Sequence, residues 1–393
     1  MKTFDLLSRI AVTTLLAVGC NDTEPDAVED TAPSLTRCHP HAARDTSPAR
    51  SLRAEGPPTT VTAWTTPVAP AYEGPLAINS ALKNAERFGV TELRGAEDIA
   101  FDAQGRLYTG TADGTVWRAD VDAEGRPTSF TALATLPDAR PLGLAFDACG
   151  NLLVAAGERG LIGISPDGVV RTLADRVDGT LIEYADELAV AADGTVYLTD
   201  ASTRYDSAWP YDFLEGKPNG RVIAYEPETG AVRSVMDGVY FANGIAVTAD
   251  ESAVLIAETF RGRVLRHWVS GERAGTTEPF IENLPVTPDN ITLDAQGQVW
   301  TTGYLRTNEL DAISGSAEQR LGLLQNFTYE QLVAGFPVAP HALVTVHDAQ
   351  GTLVRSFHDA TGGLFALSTA VPHASWLYLG TLSGQGIARV PVP

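Results

Sequence analysis

Apolar and polar positions alternate in short runs that recur along most of the chain. Each run has apolar residues, a polar turn usually written Asp-x-x-Gly or Asp-Gly, and a second β-rich stretch, a pattern typical of an antiparallel hairpin. Five copies are clear and a sixth is degenerate. The copies occupy residues 101–109, 146–154, 190–198, 247–255, 293–301 and 373–380.

Most copies are followed by a second turn and a further apolar stretch, as in ADGTVWRAD, ERGLIGIS, RGRVLRHWV and GQGIARVPV. Four strands per unit at a period of roughly 45 residues match one blade of a propeller. The sequence therefore predicts an all-β fold over residues 72–393, a six-bladed β-propeller with four antiparallel strands per blade. Residues 71–88 are expected to help close the ring with the last blade. Helical periodicity is almost absent, and only residues 79–86 are expected to form a short helix.

The first 20 residues have the organisation of a signal peptide. Lys2 and Arg9 are followed by an uncharged run at 10–18 that is too short to span a bilayer, and then by Gly19-Cys20. Small residues before a cysteine resemble a bacterial lipobox, although Ala17 stands where such boxes usually carry Leu. We expect export as a lipoprotein anchored through Cys20, in the periplasm or at the cell surface, with ordinary secretion as the alternative. Residues 21–71 are expected to form a flexible, acidic and Pro-rich tether.

Composition narrows the classes of partner. Lys and Arg total 28 against 49 Asp and Glu, a formal net charge of −21. Such a surface repels phosphate backbones, so nucleic acid is not expected as a partner, whereas cations are attracted. Three cysteines are too few for a disulfide scaffold, and pairing of Cys38 with Cys149 is left open. A monomer that binds a small molecule is expected, with membrane contact only through the lipid anchor.

Oxygen-bearing side chains stand just before the Asp-x-x-Gly turn in four of the repeats. They are Glu97-Asp98, Asp186-Glu187, Asn243 and Asp289-Asn290. Loops that enter the inner strands of a propeller converge at one mouth of its channel, where several carboxylates would repel one another unless a cation or a proton lies among them. Oxygen ligands without Cys or His suit Ca²⁺. The alternative is that these Asp and Asn residues only form turns.

Several motifs, among them GAEDIAFDAQGRLYTG, YADELAVAADGTVYLTDASTRY, YFANGIAVTADESAVLIAET and PDNITLDAQGQVW, resemble those of the strictosidine-synthase-like proteins. These belong to a superfamily of six-bladed, calcium-dependent lactonases and arylesterases that includes paraoxonases and the senescence marker protein–gluconolactonase group. The resemblance implies a calcium ion held by Glu97, Asn243, Asp289 and Asn290. It also implies a ligand at Asp186, where paraoxonases carry an amide. Strand alternation would point Asp98 and Glu187 away from this ion, toward a second, deeper one.

Two departures from the family pattern bear on the reaction. Paraoxonases carry a catalytic histidine in the loop that here reads Arg140-Pro-Leu-Gly143, and the condensing glutamate of the plant synthase aligns with 371–380, where this chain has His373. Hydrolysis of a lactone or ester is therefore favoured over amine–aldehyde condensation. Asp289 is the candidate for activating water or attacking directly. His373 is a candidate acid/base, or else a polar loop residue. A non-catalytic, calcium-stabilised binding propeller remains the main alternative to an enzyme.

Overall fold

Six four-stranded antiparallel sheets form the framework of the computed structural model, which describes residues 56–392. The first strand, β1 (Glu86–Phe88), pairs with the last strand, β26 (Ile387–Pro391), as the outermost strand of blade six. The first and last strands of the propeller thus close the ring, as predicted for residues 71–88. The predicted six-bladed propeller is confirmed.

Each of the first three blades begins with one of the repeats found in the sequence. Blade one contains β2 (Ile99–Phe101), β3 (Leu107–Gly110), β4 (Thr115–Val121) and β5 (Pro127–Thr135). Blade two contains β6 (Leu144–Phe146), β7 (Leu152–Ala155), β8 (Leu161–Ile164) and β9 (Val170–Ala174). A small hairpin of β10 (Arg176–Val177) and β11 (Thr180–Leu181) follows. Blade three contains β12 (Ala185–Val190), β13 (Val196–Asp200), β14 (Gly220–Glu226) and β15 (Ala231–Val239).

The last three blades repeat this order. Blade four contains β16 (Ala242–Val247), β17 (Ala253–Glu258), β18 (Arg263–Trp268) and β19 (Thr277–Ile281). Blade five contains β20 (Val286–Leu293), β21 (Val299–Leu305), β22 (Ala342–His347) and β23 (Leu353–Asp359). Blade six contains β24 (Leu367–His373), β25 (Trp376–Thr381), β26 and β1. Single-turn 3₁₀ helices lie at Gly74–Leu76 and Thr259–Arg261.

The Asp-x-x-Gly segments that recur along this chain fold into the same type of turn. Asp102 Oδ1 accepts the backbone N–H groups of Gln104 at 3.0 Å and Arg106 at 2.9 Å, and Gly105 has φ +76°. A side-chain acceptor and a left-handed glycine together fold the chain back on itself. The same pair of bonds is made by Asp122, Asp147, Asp294 and Asp348.

The hydrophobic core lies between neighbouring blades. Leu161 of blade two packs in one cluster with Leu198 and Ile223 of blade three, and all three side chains are at most 1% exposed. Each sheet therefore buries both faces, which is why the inner strands read as nearly continuous apolar runs. This stacking fixes the positions at which the strands start around the axis.

Four α-helices lie in two insertions and were not predicted. They are α1 (Trp209–Glu215), between β13 and β14, and α2 (Asn308–Gly315), α3 (Ala317–Asn326) and α4 (Tyr329–Ala334), between β21 and β22. The side chains of Thr307, Ser316 and Thr328 cap the last three by accepting a backbone N–H. We refer to α1 together with residues 308–336, which contain α2–α4, as the cap. The prediction of a short helix at 79–86 is wrong, because this segment contains a turn at 81–84 and then enters β1 at Glu86.

The cap is held together by its own apolar cluster. Phe213 and Leu214 of α1 pack with Leu310, Leu324 and Leu332, one from each of the other three helices. Burial of these side chains supplies the tertiary stabilisation that helices of six to ten residues need.

The part of the expected tether that the structure describes, residues 56–71, lies against the cap. The backbone N–H of Thr62 donates to Glu215 O at 2.9 Å. The ring of Trp64 stacks on the Arg261 guanidinium at 4.4 Å. These contacts place residues 62 and 64 beside the propeller.

The expected signal peptide at 1–20, its Cys20, and the tether up to residue 55 lie outside the described residues, as does Cys38. Cys149 is disulfide-bonded. No helix within residues 56–392 is long and apolar enough to cross a membrane. The domain boundaries at residues 20 and 71 stay predictions.

Candidate active site

Four of the five predicted ligand residues lie in β-bulges of the inner strands, and the fifth, Glu97, lies in the loop that enters β2. In each of blades three to six, two consecutive residues of the inner strand stand opposite a single residue of the next strand. Such bulges re-aim side chains and are common next to active sites. The bulged pairs are Asp186-Glu187, Asn243-Gly244, Asp289-Asn290 and Ser368-Thr369.

The two residues of a pair face different cavities. Residues 97–98 of blade one and 142–143 of blade two occupy the equivalent positions in the loops that enter β2 and β6. In blades one to five the first residue of the pair lines a pocket under the cap: Glu97, Leu142, Asp186, Asn243 and Asp289. The second residues Asp98, Glu187 and Asn290 line the central channel on the other side, in agreement with the predicted alternation. Four of the five predicted metal ligands thus meet in one pocket, and Asn290 lies at its boundary with the channel.

Blade two carries a different pair at these positions because the Glu187 side chain of blade three lies against it. Its second position is Gly143, and a Cβ atom there would lie 2.3 Å from Glu187 Oε1. Its first position is Leu142, which gives the pocket an apolar wall where the other blades provide oxygens. Blade two therefore supplies no ligand and no histidine base.

Three buried oxygens at this boundary accept no hydrogen bond: Glu97 Oε2, Asn243 Oδ1 and Asn290 Oδ1. The Asn290 amide nitrogen donates to Glu97 Oε1 at 3.3 Å, which leaves its own oxygen free. Buried acceptors without partners are costly, and a cation would satisfy all three. Within residues 56–392, no group of three His, Cys, Asp or Glu side chains could hold a metal by itself. The amide oxygens of Asn243 and Asn290 would complete such a set, and carboxylates combined with amides fit Ca²⁺.

The carboxyl groups are buried and close to one another. Burial raises the pKa of Glu97 well above its usual value, and the charges of Asp289, Asp98 and Asp186 raise it further. Burial and the Asp289 charge likewise raise the pKa of Asp186. Burial raises the pKa of Asp289 to about 7, while a hydrogen bond from Asn243 opposes the rise. These acids cannot all ionise without a compensating positive charge.

Arg140 brings one fixed positive charge to the pocket, and this role was not predicted from the sequence. Its Nη2 donates to Leu382 O at 2.7 Å and to Gly95 O at 3.2 Å. Gly95 has φ +62°, and a Cβ atom there would lie 2.8 Å from Nη2, so this contact needs glycine. The Arg140 charge lowers the pKa of three pocket carboxyls, those of Glu97, Asp186 and Asp289.

Aromatic rings form the rest of the pocket wall. The cap contributes Trp209 and Phe213 from α1 and Phe336 from the end of the second insertion. Trp209 meets Phe336 edge to face at 4.8 Å, and Phe213 meets Phe260 at 5.1 Å. Two of these three rings belong to the insertion of blade three, and the third belongs to the insertion of blade five. The pocket thus has an oxygen-rich floor and an apolar, aromatic wall.

His373 does not lie in this pocket. It is at the far end of β24, where it lines the channel. Its ring stacks on Phe101 with centroids 3.8 Å apart and planes 3° apart. Burial lowers its pKa. The structure therefore does not bring His373 to Asp289, and a stacking role accounts for its contacts.

The fold and pocket together define a six-bladed propeller that gathers carboxylates and amides at the entrance of its inner strands. Comparison with known families agrees with this class. Residues 186–272 match the family described as Strictosidine synthase, and residues 74–119 match Strictosidine synthase-like, N-terminal. The chain belongs to the strictosidine synthase-like family, and the resemblance found in its motifs is confirmed.

Relatives cover most of the chain. Protein STRICTOSIDINE SYNTHASE-LIKE 4 of Arabidopsis thaliana is 34% identical over 322 residues, which are 80% of this chain and 84% of that protein. The adipocyte plasma membrane-associated protein of Danio rerio is 34% identical over 334 residues, 79% of each chain.

Solved structures share the fold at low identity. A gluconolactonase from Xanthomonas campestris superposes with a TM-score of 0.56 at 18% identity, over 86% of this chain and 99% of that chain. The calcium-binding protein regucalcin from Agrobacterium tumefaciens has a TM-score of 0.52 at 14% identity, over 78% and 93%. At these identities the likeness concerns the architecture.

Proposed function

We propose that this protein is a calcium-dependent hydrolase of a lactone or an ester. The observation that carries the proposal is the set of three buried, unpartnered oxygens on Glu97, Asn243 and Asn290, next to the carboxylates of Asp186 and Asp289. The structural neighbours named as a gluconolactonase and as a calcium-binding protein agree with it.

Each ligand residue has its own part. Glu97 and Asp289 provide charge, and Asp186 adds a further carboxylate on the same pocket wall. Asn243 and Asn290 provide oxygens without adding charge. A bound Ca²⁺ would polarise the substrate carbonyl and make a neighbouring water more acidic.

Asp289 is the residue that we assign to the attacking water. It lines the pocket beside the other ligand residues, and a bound cation would keep its carboxylate ionised and able to accept a proton. Its carboxylate can take the water proton or attack the carbonyl carbon directly, as proposed from the sequence. His373 has no part in this mechanism, because it lies at the far end of the channel.

The cap and pocket wall act on the rest of the substrate. Trp209, Phe213 and Phe336 exclude water and give an apolar group a surface to pack against, which orients the carbonyl toward the oxygen-lined floor. The partner is accordingly a small molecule and not a nucleic acid, and the propeller acts as a monomer.

The test is a panel of lactones and aryl esters assayed with calcium and after its exhaustive removal. We expect turnover with calcium and none without it, and a folded but inactive Asp289→Asn variant. Turnover that survives calcium removal contradicts the proposal. Calcium-dependent melting without turnover of any substrate would instead support the non-catalytic binding propeller. Product formed only when an amine and an aldehyde are supplied together would support a condensing enzyme.

For localisation, we propose export and anchoring through a lipid on Cys20. The Danio rerio relative is named as plasma membrane-associated, and the motif Ala17-Val-Gly-Cys20 offers an attachment site in this chain. We expect a Cys20→Ala variant to leave the membrane fraction of an expressing bacterium. Equal membrane association of the variant and the natural protein would contradict anchoring through this residue.

A further inference from the structure

The central channel of the ring is a second cavity, of about 390 Å³, that joins the candidate ion site to the opposite side of the propeller. At one end it is lined by Asp98, Glu187 and Asn290, beside the pocket floor. At the other end it is lined by residues where the inner strands finish, including Phe101, Val247 and His373. The channel therefore runs along the inner strands, away from the cap.

Small side chains keep this channel open at mid-depth. Ala100, Ala189, Ala246 and Thr292 occupy the same position on four inner strands, two residues after the second member of each bulged or loop pair, and all four line the channel. Larger side chains would be compatible with these strands, since the neighbouring positions carry Ile, Leu and Val. We refer to these four positions as the ring of small residues; Val371 of blade six is a larger side chain at the same position.

Asn290 connects the channel to the ion site. Its side chain lines the channel, is 3% exposed and has an oxygen without a hydrogen-bond partner. Its amide nitrogen meets Glu97, which lines the pocket on the other side. A cation held by these two residues is accessible from both cavities.

The two cavities differ in what they offer a hydrated cation. The pocket route passes aromatic rings of the cap, such as Trp209 and Phe336, which cannot replace water ligands. The channel route ends at the buried carboxyl groups of Asp98 and Glu187, which are 6% and 4% exposed. Carboxylate oxygens are ligands for calcium, and a cleft with one sign of charge concentrates counter-ions.

We propose that the central channel is the path by which the divalent cation enters and leaves the site, so that the pocket under the cap is left to the substrate. The inference rests on the calcium site of the proposed function. It assigns separate entrances on opposite sides of the ring, and it predicts that ion exchange continues while substrate fills the pocket.

Narrowing the channel tests this path without touching a ligand. In the full-length protein loaded with calcium, we expect Ala246→Leu to slow both release to a chelator and rebinding by at least about tenfold, with the equilibrium Kd unchanged, because a barrier alters both rates equally. Ala246→Ser keeps the size of the side chain and should exchange calcium like the natural protein. Ala189→Val narrows the same ring and replaces Ala246→Leu if that variant does not fold.

Blocking the other entrance is the matched comparison. Thr287 lines the pocket, and Thr287→Trp should stop substrate turnover while leaving the calcium release rate unchanged. Slow release from Thr287→Trp, or normal release from folded channel variants, overturns the proposed path. If the natural protein binds no calcium, the proposed function itself fails, and this outcome is separate from a failure of the path alone.

Discussion

Asn290 of blade five donates its side-chain amide to Glu97 of blade one, 193 positions earlier in the chain. Both residues are almost completely buried, and each keeps one oxygen without a partner. The contact thus fixes two oxygens of the candidate ion site relative to each other before any ion binds.

Replacing this amide should weaken calcium binding. Asn290→Ala removes one oxygen ligand and the donor that holds Glu97, so we expect the calcium Kd, measured by titration calorimetry, to rise by at least about tenfold. Asn326→Ala, at the exposed end of α3, is the control and should leave the calcium Kd unchanged. An Asn290→Ala protein that binds calcium normally would remove this residue from the site.

Removing the positive charge of Arg140 should lower the stability of the calcium-free protein and strengthen its binding of calcium. In Arg140→Gln the carboxyls of Glu97, Asp186 and Asp289 lose the cation that lowers the pKa of each. Without calcium we expect a lower melting temperature at pH 8. With calcium we expect tighter ion binding, because the site is more negative. Thermal melting measures the effect on stability, and calorimetry measures the effect on calcium binding. A variant that is both less stable and weaker in calcium binding, or both more stable and tighter, would contradict the charge argument.

Asp212 in the cap should make stability depend on pH. Burial raises the pKa of Asp212 to about 7, although hydrogen bonds from Ser202 and Asn219 oppose the rise. The folded state therefore holds this proton up to higher pH than the unfolded state does. The stabilisation is complete below pH 4 and is lost as the pH rises through 7.

The Asp212→Asn variant tests this dependence. Its melting temperature should fall less than that of the natural protein between pH 5 and pH 8, both measured with a calcium chelator present. Glu309→Gln, exposed on α2, serves as the control. Parallel melting curves for Asp212→Asn and the natural protein would show that Asp212 does not titrate in this range.

Truncating the aromatic wall should affect binding more than chemistry. Phe336 contacts Trp209, Phe213 and Tyr304 at ring distances of 4.8 to 5.8 Å. Phe336→Ala should raise the KM for an aryl ester by about tenfold with a smaller change in kcat, since the ring is distant from the reacting carbonyl. Phe327→Ala, which removes an exposed ring of the cap, should leave both constants unchanged. A selective loss of kcat would assign Phe336 a role in the reaction step.

The repeats made the propeller predictable because each carries the same local determinant. In a turn such as 102–105, the hydrogen bonds require the aspartate and the backbone angles require the glycine. Both residues are therefore present in most of the repeats. The acids and amides upstream of the turns were predictable for the same reason. Their register within the blade is constant, and in blades three to five they lie in the same bulge of the inner strand.

The cap and Arg140 could not be found in this way, since neither belongs to the repeat. Helices α2–α4 are short and depend on mutual packing, although the wide separation of the last two repeats and the capping box at Thr328 and Gln331 were available indications. Arg140 reaches the pocket through contacts with carbonyls of two other blades. His373 precedes a degenerate turn, and only the structure shows that it stacks on Phe101.

The pairing of β1 with β26 has a consequence for biosynthesis. Blade six takes one strand from the beginning of the propeller and three from its end, so the ring lacks its closing sheet until Ile387–Pro391 has been made. During translation, β1 has no strand to pair with until the other five blades and the rest of blade six have been synthesised. An exported chain that crosses the membrane before folding meets the same constraint, and loss of only the final strand should expose both edges of an open ring to aggregation.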